Sequence, residues 1–499
     1  MGPSKVSSPT PGKLAKAWNY PFVWTEHHQT PEQYDHLKYT CDTLAEECLD
    51  FLNGLQPSEG QLLNGQADAK DGSGGARASP QKKKKDLYAL FRDHHAENEK
   101  TQKLWEQVTT IPEWVDWDQI ARGQDVFFRY GEPILIGLTY QSLVGGTASA
   151  RATEVLSRTG GFGIKNVWRR MLETTQFILE CTNDLDSIKP GGAGFASCLR
   201  VRFLHATVRH RILQIAERHP SYYSTEKWCI PINDLDCIGT IAVFGATVVW
   251  QSLPRQGIHL RPQEIEDFIA LWRLVGFYMG TPTDHFSTPE KARAIMESLY
   301  MYEYTPSETS KLHANNIILA VSENAPTPTS RSYLEANARW LNGDGLSDAL
   351  GIGRPGLYYR TLIAGQCLLL KMTCYTARAV PFLDRSRLRS VRKMVWTSIT
   401  SPGSGLQELT TFDFKHVPNV GDHSKNQGSE LSWAEKKSKP FWTTDRKTLA
   451  TLLFLGVTTV AVTWGLAKAA LVTYRAADPQ IEKWSAFLGS RIAAAYVHK

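Results

Sequence analysis

The segment 198–213, Cys-Leu-Arg-Val-Arg-Phe-Leu-His-Ala-Thr-Val-Arg-His-Arg-Ile-Leu, sets one imidazole among guanidinium groups on an otherwise apolar stretch. On a helix, Val201, Leu204, Val208 and Ile212 make one stripe with His205 at its edge. Arg202 and Arg209, three residues before and four after His205, flank the same face. Two readings fit: a core histidine satisfied by its neighbours, or an axial ligand to haem iron with both arginines turned towards the propionates. A second segment shifts the balance towards chemistry. Within 167–181, the residues Val167, Arg170, Thr174, Phe177 and Cys181 share one helical face, so Arg170 is a charge inside an apolar stripe. A charge so placed is costly unless it is paired or used. Glu154 upstream is a candidate partner, and a buried Arg170–Glu154 bridge is the purely structural alternative.

Other chemistries fit less well. The eight cysteines form no C-x-x-C or C-x-x-C-H pattern, which argues against structural zinc and covalently attached haem. Cys41/Cys48 and Cys367/Cys374 are each seven apart, two turns on one helical face, and read as buried free thiols in a reducing compartment. The pairs His27-His28 and His94-His95 point to opposite sides of a helix and read as surface residues rather than metal sites. Asn183-Asp184-Leu185-Asp186 and Asn233-Asp234-Leu235-Asp236 are not D-D-x-x-D clusters, so helix caps explain them better than magnesium-diphosphate chemistry. Gly160-Gly161-Phe162-Gly163 and Gly191-Gly192-Ala193-Gly194 do not complete G-x-G-x-x-G and read as helix-entry loops. With a net charge of +6 spread along 499 residues and no basic stripe, nucleic acid is set aside as a partner.

The elements that must position these residues are helical. Residues 262–280 open on a proline, carry the stripe Ile265, Phe268, Ile269, Trp272 and Val275, and stop at a glycine. Thr288 and Pro289 cap and open another helix. Residues 238–250 are apolar nearly all round and read as a central buried helix. Without a convincing period-two strand, the fold class is all-α: one large helical bundle plus a C-terminal transmembrane helix. The expected organisation is an N-terminal helical extension (1–55), a disordered Gly/Ser/Lys-rich linker (56–85), a main domain (86–400), a second linker (401–447), a membrane helix (448–473) and a tail (474–499).

The opening residues hold no apolar run, and Val6 stands where myristoylation needs Ser or Thr, so neither a secretory signal nor a lipid anchor is expected there. Residues 449–467 are uncharged and rich in Leu, Val and Thr, close to the about 20 residues a spanning helix needs. Five Lys/Arg precede the run and three follow it, which favours a cytosolic main domain. A polar linker precedes it, leaving no domain for it to dock into.

Taken together, the residues resemble the haem oxygenase family that joins latex-clearing proteins (rubber oxygenases) to the endoplasmic-reticulum-bound MpaB enzymes. The resemblance runs from about residue 117 to residue 383. It rests on Arg122-Gly123-Gln124-Asp125-Val126-Phe127, on Glu154, Arg170 and Thr174, and on Arg202-Phe-Leu-His205-Ala-Thr-Val-Arg209. It implies a globin-like, b-type haem core with His205 as proximal iron ligand, Arg170 and Thr174 as a distal polar pair, and Glu154 as a candidate base. It further implies dioxygen and an apolar, unsaturated, prenyl-like substrate whose C=C bond is cleaved, with the protein single-pass in the endoplasmic reticulum membrane and its catalytic domain facing the cytosol. Glu173 departs from the rubber-cleaving members, which resemble one another in carrying a lysine before the threonine. That difference and the membrane run side with the MpaB branch. Hydroxylation or peroxygenation by the same cofactor, and a haem- or lipid-binding membrane protein without turnover, are the rival readings.

Overall fold

The computed structural model describes residues 9–55, 86–164, 166–322, 329–401, 405–406, 408–412, 449–450, 452–454 and 456–473. The linker expected at 56–85, most of that at 401–447, and the tail 474–499 lie outside the described residues.

A short antiparallel hairpin, β1 (Leu14–Ala17) and β2 (Tyr20–Val23), corrects the expectation of a strand-free chain. Four-residue strands of ordinary composition give almost no sequence signal. What holds the hairpin is its buried face. Phe22 and Trp24 stack against His28, whose Nε2 lies 2.8 Å from Glu297 Oε2. His28 is therefore buried, not at the surface as its sequence context suggested, whereas His94 pairs at the surface with Glu97.

The rest of the described chain is helical. In order come α1 (Thr43–Gly54), α2 (Leu87–His94), α3 (Glu99–Thr109), α4 (Trp117–Arg129), α5 (Gly131–Gly137), α6 (Ala150–Thr159), α7 (Val167–Thr182) and α8 (Ala193–Arg218). They are followed by α9 (Asp234–Phe244), α10 (Pro262–Tyr278), α11 (Pro289–Tyr302), α12 (Glu308–Val321), α13 (Arg331–Ala349), α14 (Leu357–Ala379) and α15 (Pro381–Thr400). A C-terminal apolar helix, α16 (Leu452–Thr473), completes the set. The Asp-rich turns act as caps, as expected. Asp184 accepts from Ser187 N, and Asn233 accepts from Asp236 N at the start of α9. The apolar stretch after α9 passes through a π-helical turn at Val248–Ser252 and is largely buried. All eight cysteines are free; Cys41 precedes α1 rather than sharing its face with Cys48.

A single core joins Ala45, Cys48, Leu49 and Leu52 of α1 to Cys198, Phe203 and Ala206 of α8. Helix α1, within the segment expected to be an extension, is thus part of the bundle. The Arg122-Gly123-Gln124 motif fastens three helices together. Arg122 makes a bidentate bridge to Asp267 of α10 at 2.9 and 3.0 Å. At Gly123, any Cβ would lie 2.3 Å from the Asp267 carbonyl oxygen. Gln124 donates to the Cys181 and Asp184 carbonyls, satisfying the end of α7.

Candidate functional site

The site is built on the antiparallel pair α7 and α8. Their backbones meet most closely where Gly194 leaves room, since a Cβ there would sit 2.5 Å from the Glu180 carbonyl oxygen. The Sγ atoms of Cys181 and Cys198 are 3.6 Å apart, and Ser197 donates to the Glu180 carboxylate. Burial raises the pKa of that carboxyl group, with Ser197 and Gln176 acting in the opposite direction. From this apex the pair opens. Phe177, Ile178, Leu179 and Cys181 are buried on α7, but Arg170 is half-buried and Thr174 is exposed. On α8, Cys198 and Leu199 are buried, whereas Val201, Leu204 and His205 are only half-buried. Seven residues outward from the Cys181–Cys198 contact on each helix lead to Thr174 and to His205, with Arg170 one turn beyond. The two segments singled out in the sequence therefore face each other across a wedge.

His205 lies deep in the protein, and burial lowers its pKa to about 4, with the Arg209 and Arg170 guanidinium groups adding to the effect. Part of its surface nevertheless stays accessible. Neither ring nitrogen engages a hydrogen-bond partner among the described residues. A neutral, half-buried imidazole without such a partner has the donor chemistry that haem iron takes from a protein. No cluster of three or more metal-ligating side chains exists among the described residues, and haem needs only one such ligand. The residues present fit the group.

The polar groups opposite His205 are held by a partner the sequence reading did not choose. Arg170 Nη1 lies 2.5 Å from Glu173 Oε2, and Arg169 Nε lies 3.1 Å from Glu173 Oε1. Glu173 is buried and aims the Arg170 guanidinium; the three-residue spacing was visible in the sequence. Thr174 donates to the Arg170 carbonyl at 3.0 Å. Glu154, on α6, is buried and accepts from Arg158, which also lies over the Tyr222 ring. Val155, next in sequence, packs with Val208 and Ile212 of α8, so α6 lies against the helix that carries His205.

Arg202 and Arg209 require a correction. Arg202 is bound bidentately by Asp42 at 2.6 and 3.0 Å, and its Nη2 also meets Gln107. Arg209 reaches Glu46 at 3.0 Å and donates to the Pro231, Ile232 and Asp42 carbonyls. Both guanidinium groups pin α8 to α1 and to the segment before α9 rather than turning wholly towards a cofactor, although Arg202 Nη1 is buried without a partner among the described residues. Gly280, at φ +74, sits against this pair, where a Cβ would lie 2.7 Å from Arg202 Nε. Asp42→Ala is expected to strand the buried Arg202 charge and destabilise the fold by about 3–5 kcal/mol. Chemical denaturation checks this, and an unchanged midpoint would show the bridge to be dispensable.

With this geometry in place, comparison with known proteins is informative. The family model described as "ER-bound oxygenase mpaB/B'/Rubber oxygenase, catalytic domain" matches residues 129–369. A rubber oxygenase of Streptomyces sp. (strain K30) is 21% identical over 275 residues, covering 54% of this chain and 64% of that relative. The chain therefore spans a little under two thirds of that relative's length. A solved latex-clearing protein in the closed state is similar with a TM-score of 0.51 at 18% identity, covering 72% of this chain and 91% of that one. At that identity the likeness concerns the fold, and it agrees with the all-α architecture. His205, Arg170, Thr174 and Glu154 all fall inside the matched segment, and residues 129–369 of this chain belong to the MpaB/rubber oxygenase catalytic-domain family.

Proposed function

We propose that this protein is a haem b-dependent oxygenase that cleaves a C=C bond in an apolar, prenyl-like substrate while attached to a membrane. The observation that carries this reading is His205: neutral, half-buried, without a hydrogen-bond partner among the described residues, level with Thr174 and within the electrostatic reach of Arg170. Haem b, when bound by His205, supplies iron able to activate dioxygen for attack on a double bond.

The chain's own residues supply the environment. Arg170, aimed by Glu173, places positive charge where negative charge develops on oxygen, and a fixed donor acts strongly in a water-poor space. Thr174 brings a hydroxyl to the same level; its proton is given to the Arg170 carbonyl in this structure, so orienting an oxygen atom by donation would require that hydroxyl to turn. Glu154, hydrogen-bonded by Arg158, is the candidate acceptor for a proton next to the double bond. Val201 and Leu204 give the wedge apolar walls suited to a hydrocarbon chain. Glu173 stands where rubber-cleaving relatives resemble one another in carrying a lysine, so no amine is there to cap the iron. The reading therefore favours a small prenylated molecule over polyisoprene.

Attachment runs through α16, which is long and apolar enough to enter a bilayer and has no fully buried residue in its described length. The basic residues before this helix favour a body on the cytosolic side, and the endoplasmic reticulum is the membrane that the family resemblance implies. Substrates that partition into lipid are met there.

Oxygen uptake by the haem-loaded, full-length protein tests the proposal. A prenylated aromatic should stimulate uptake and yield products ending in carbonyl groups, while its saturated analogue should not. Equal, background uptake with both would overturn it, and a hydroxylated but intact chain would replace cleavage with hydroxylation.

A further inference from the structure

The sequence places α16 behind a polar linker with nothing to pack on, but the structure lays it along α14. Leu449 and Leu452 join the cluster of Tyr359, Leu362, Ile363 and Cys367. A Cβ added at Gly456 would lie 3.6 Å from Leu369, and Thr459 and Val462 line a groove with Thr373, Thr376, Ser386 and Arg387. The helix thus runs beside α14 in the same direction, with α15 closing the other side of the groove.

The outer faces of α14 and α15 carry two unpartnered features. Along α14, Leu357, Thr361, Ala364 and Leu368 are exposed at helical spacing, Leu357 at 79% and Leu368 at 58%. On α15, Arg385, Arg389 and Lys393 are exposed at four-residue spacing, beside an exposed Phe382, and make no ion pair among the described residues. Residues 357–400 hold eight Lys/Arg against a single acid, Asp384, a concentration that the overall charge of +6 conceals. Basic residues that look scattered in the sequence become a stripe in the fold.

We infer that α14, α15 and α16 together form one face that lies flat on an anionic bilayer, with the apolar stripe among the acyl chains and the α15 cations at lipid phosphates. This rests on the membrane attachment proposed above and specifies its geometry. Packed as it is, α16 could not cross a bilayer without drawing its neighbours in. The Arg387–Glu132 ion pair lines the groove opposite Thr459 and Val462, at the middle of the apolar run. Arg389 and Lys393 lie on the same segment of α15, and charges at that depth are strongly disfavoured. Lying in the interface, the same helices put every group in its preferred medium, including Lys468, whose Nζ sits 4.7 Å from the Trp464 ring. Anionic lipid is the occupant that the charge pattern selects, because each Lys/Arg at such a surface strengthens binding by roughly fivefold.

The test uses the full chain with phosphatidylcholine vesicles, with and without phosphatidylserine. Nitroxide labels at Leu368→Cys, Val460→Cys and Leu471→Cys report depth by their accessibility to oxygen against a water-soluble nickel chelate. The inference predicts three labels at a similar, shallow depth in anionic vesicles. It also predicts that the triple neutralisation R385Q/R389Q/K393Q weakens flotation with those vesicles on the order of a hundredfold. A deep Val460 label with Leu368 in water would mean that α16 leaves the groove and crosses the bilayer, overturning the flat geometry alone. Failure of the wild-type chain to float with either vesicle would remove the membrane attachment itself.

Discussion

His205→Ala is expected to abolish haem binding and with it all substrate-dependent oxygen uptake, while leaving the helical circular-dichroism spectrum intact. The loss should be complete because His205 is the one iron ligand that the proposal assigns. The fold should survive because His205 is half-buried and forms no hydrogen bond among the described residues that its removal would orphan. The scaffold around it is carried by other groups: the Cys181–Cys198 apex, Gly194, and the Asp42 and Glu46 bridges to Arg202 and Arg209. Exogenous imidazole is expected to restore haem uptake to this variant, because the alanine leaves space for a free ligand at the same position. A variant that keeps its haem would place the iron ligand elsewhere.

Arg170→Ala should separate binding from turnover. Haem content is expected to remain as in the wild type, since Arg170 lies on α7, across the wedge from the ligand. Turnover should fall by roughly a hundred- to a thousandfold, the usual loss when one fixed donor to a developing negative charge is removed. Glu173→Gln provides the matching control. Glu173 is buried and holds both Arg169 and Arg170, so removing its charge should loosen the Arg170 guanidinium and lower turnover less than deleting Arg170 does. Unchanged turnover in Arg170→Ala would make this residue a structural charge only.

Much of this site was legible before any coordinates because its parts lie on two long helices. Periodicity alone puts Arg170, Thr174, Phe177 and Cys181 on one face, and His205 at the edge of another. What periodicity does not show is what each face meets. Arg202 and Arg209 flank His205 in sequence and looked cofactor-directed. Their partners Asp42 and Glu46 lie 160 and 163 residues away along the chain, on a helix the sequence reading had assigned to a separate extension. Glu173 was within reach, three residues from Arg170, but Glu154 was weighed as the partner instead; Arg158 engages Glu154. The hairpin before α1 escaped notice because its two four-residue strands owe their stability to Phe22, Trp24 and the buried His28–Glu297 pair. The docking of α16 was equally hidden, because its groove exists only once α14 and α15 pack together.

The residues on which the proposal rests all lie within the segment that the family model matches. The matched segment begins at residue 129, at the end of α4, and closes at residue 369, within α14. It contains the α6, α7 and α8 residues that surround the wedge. The helices proposed to meet lipid extend from the end of that segment outward.

The most direct measurement is the absorbance spectrum of the full-length protein purified from haem-supplemented cells. A Soret band at near one haem per chain, shifted by added imidazole or cyanide, is what a His205-ligated cofactor predicts. A colourless, well-folded protein that takes up no added haem would contradict the account at its centre.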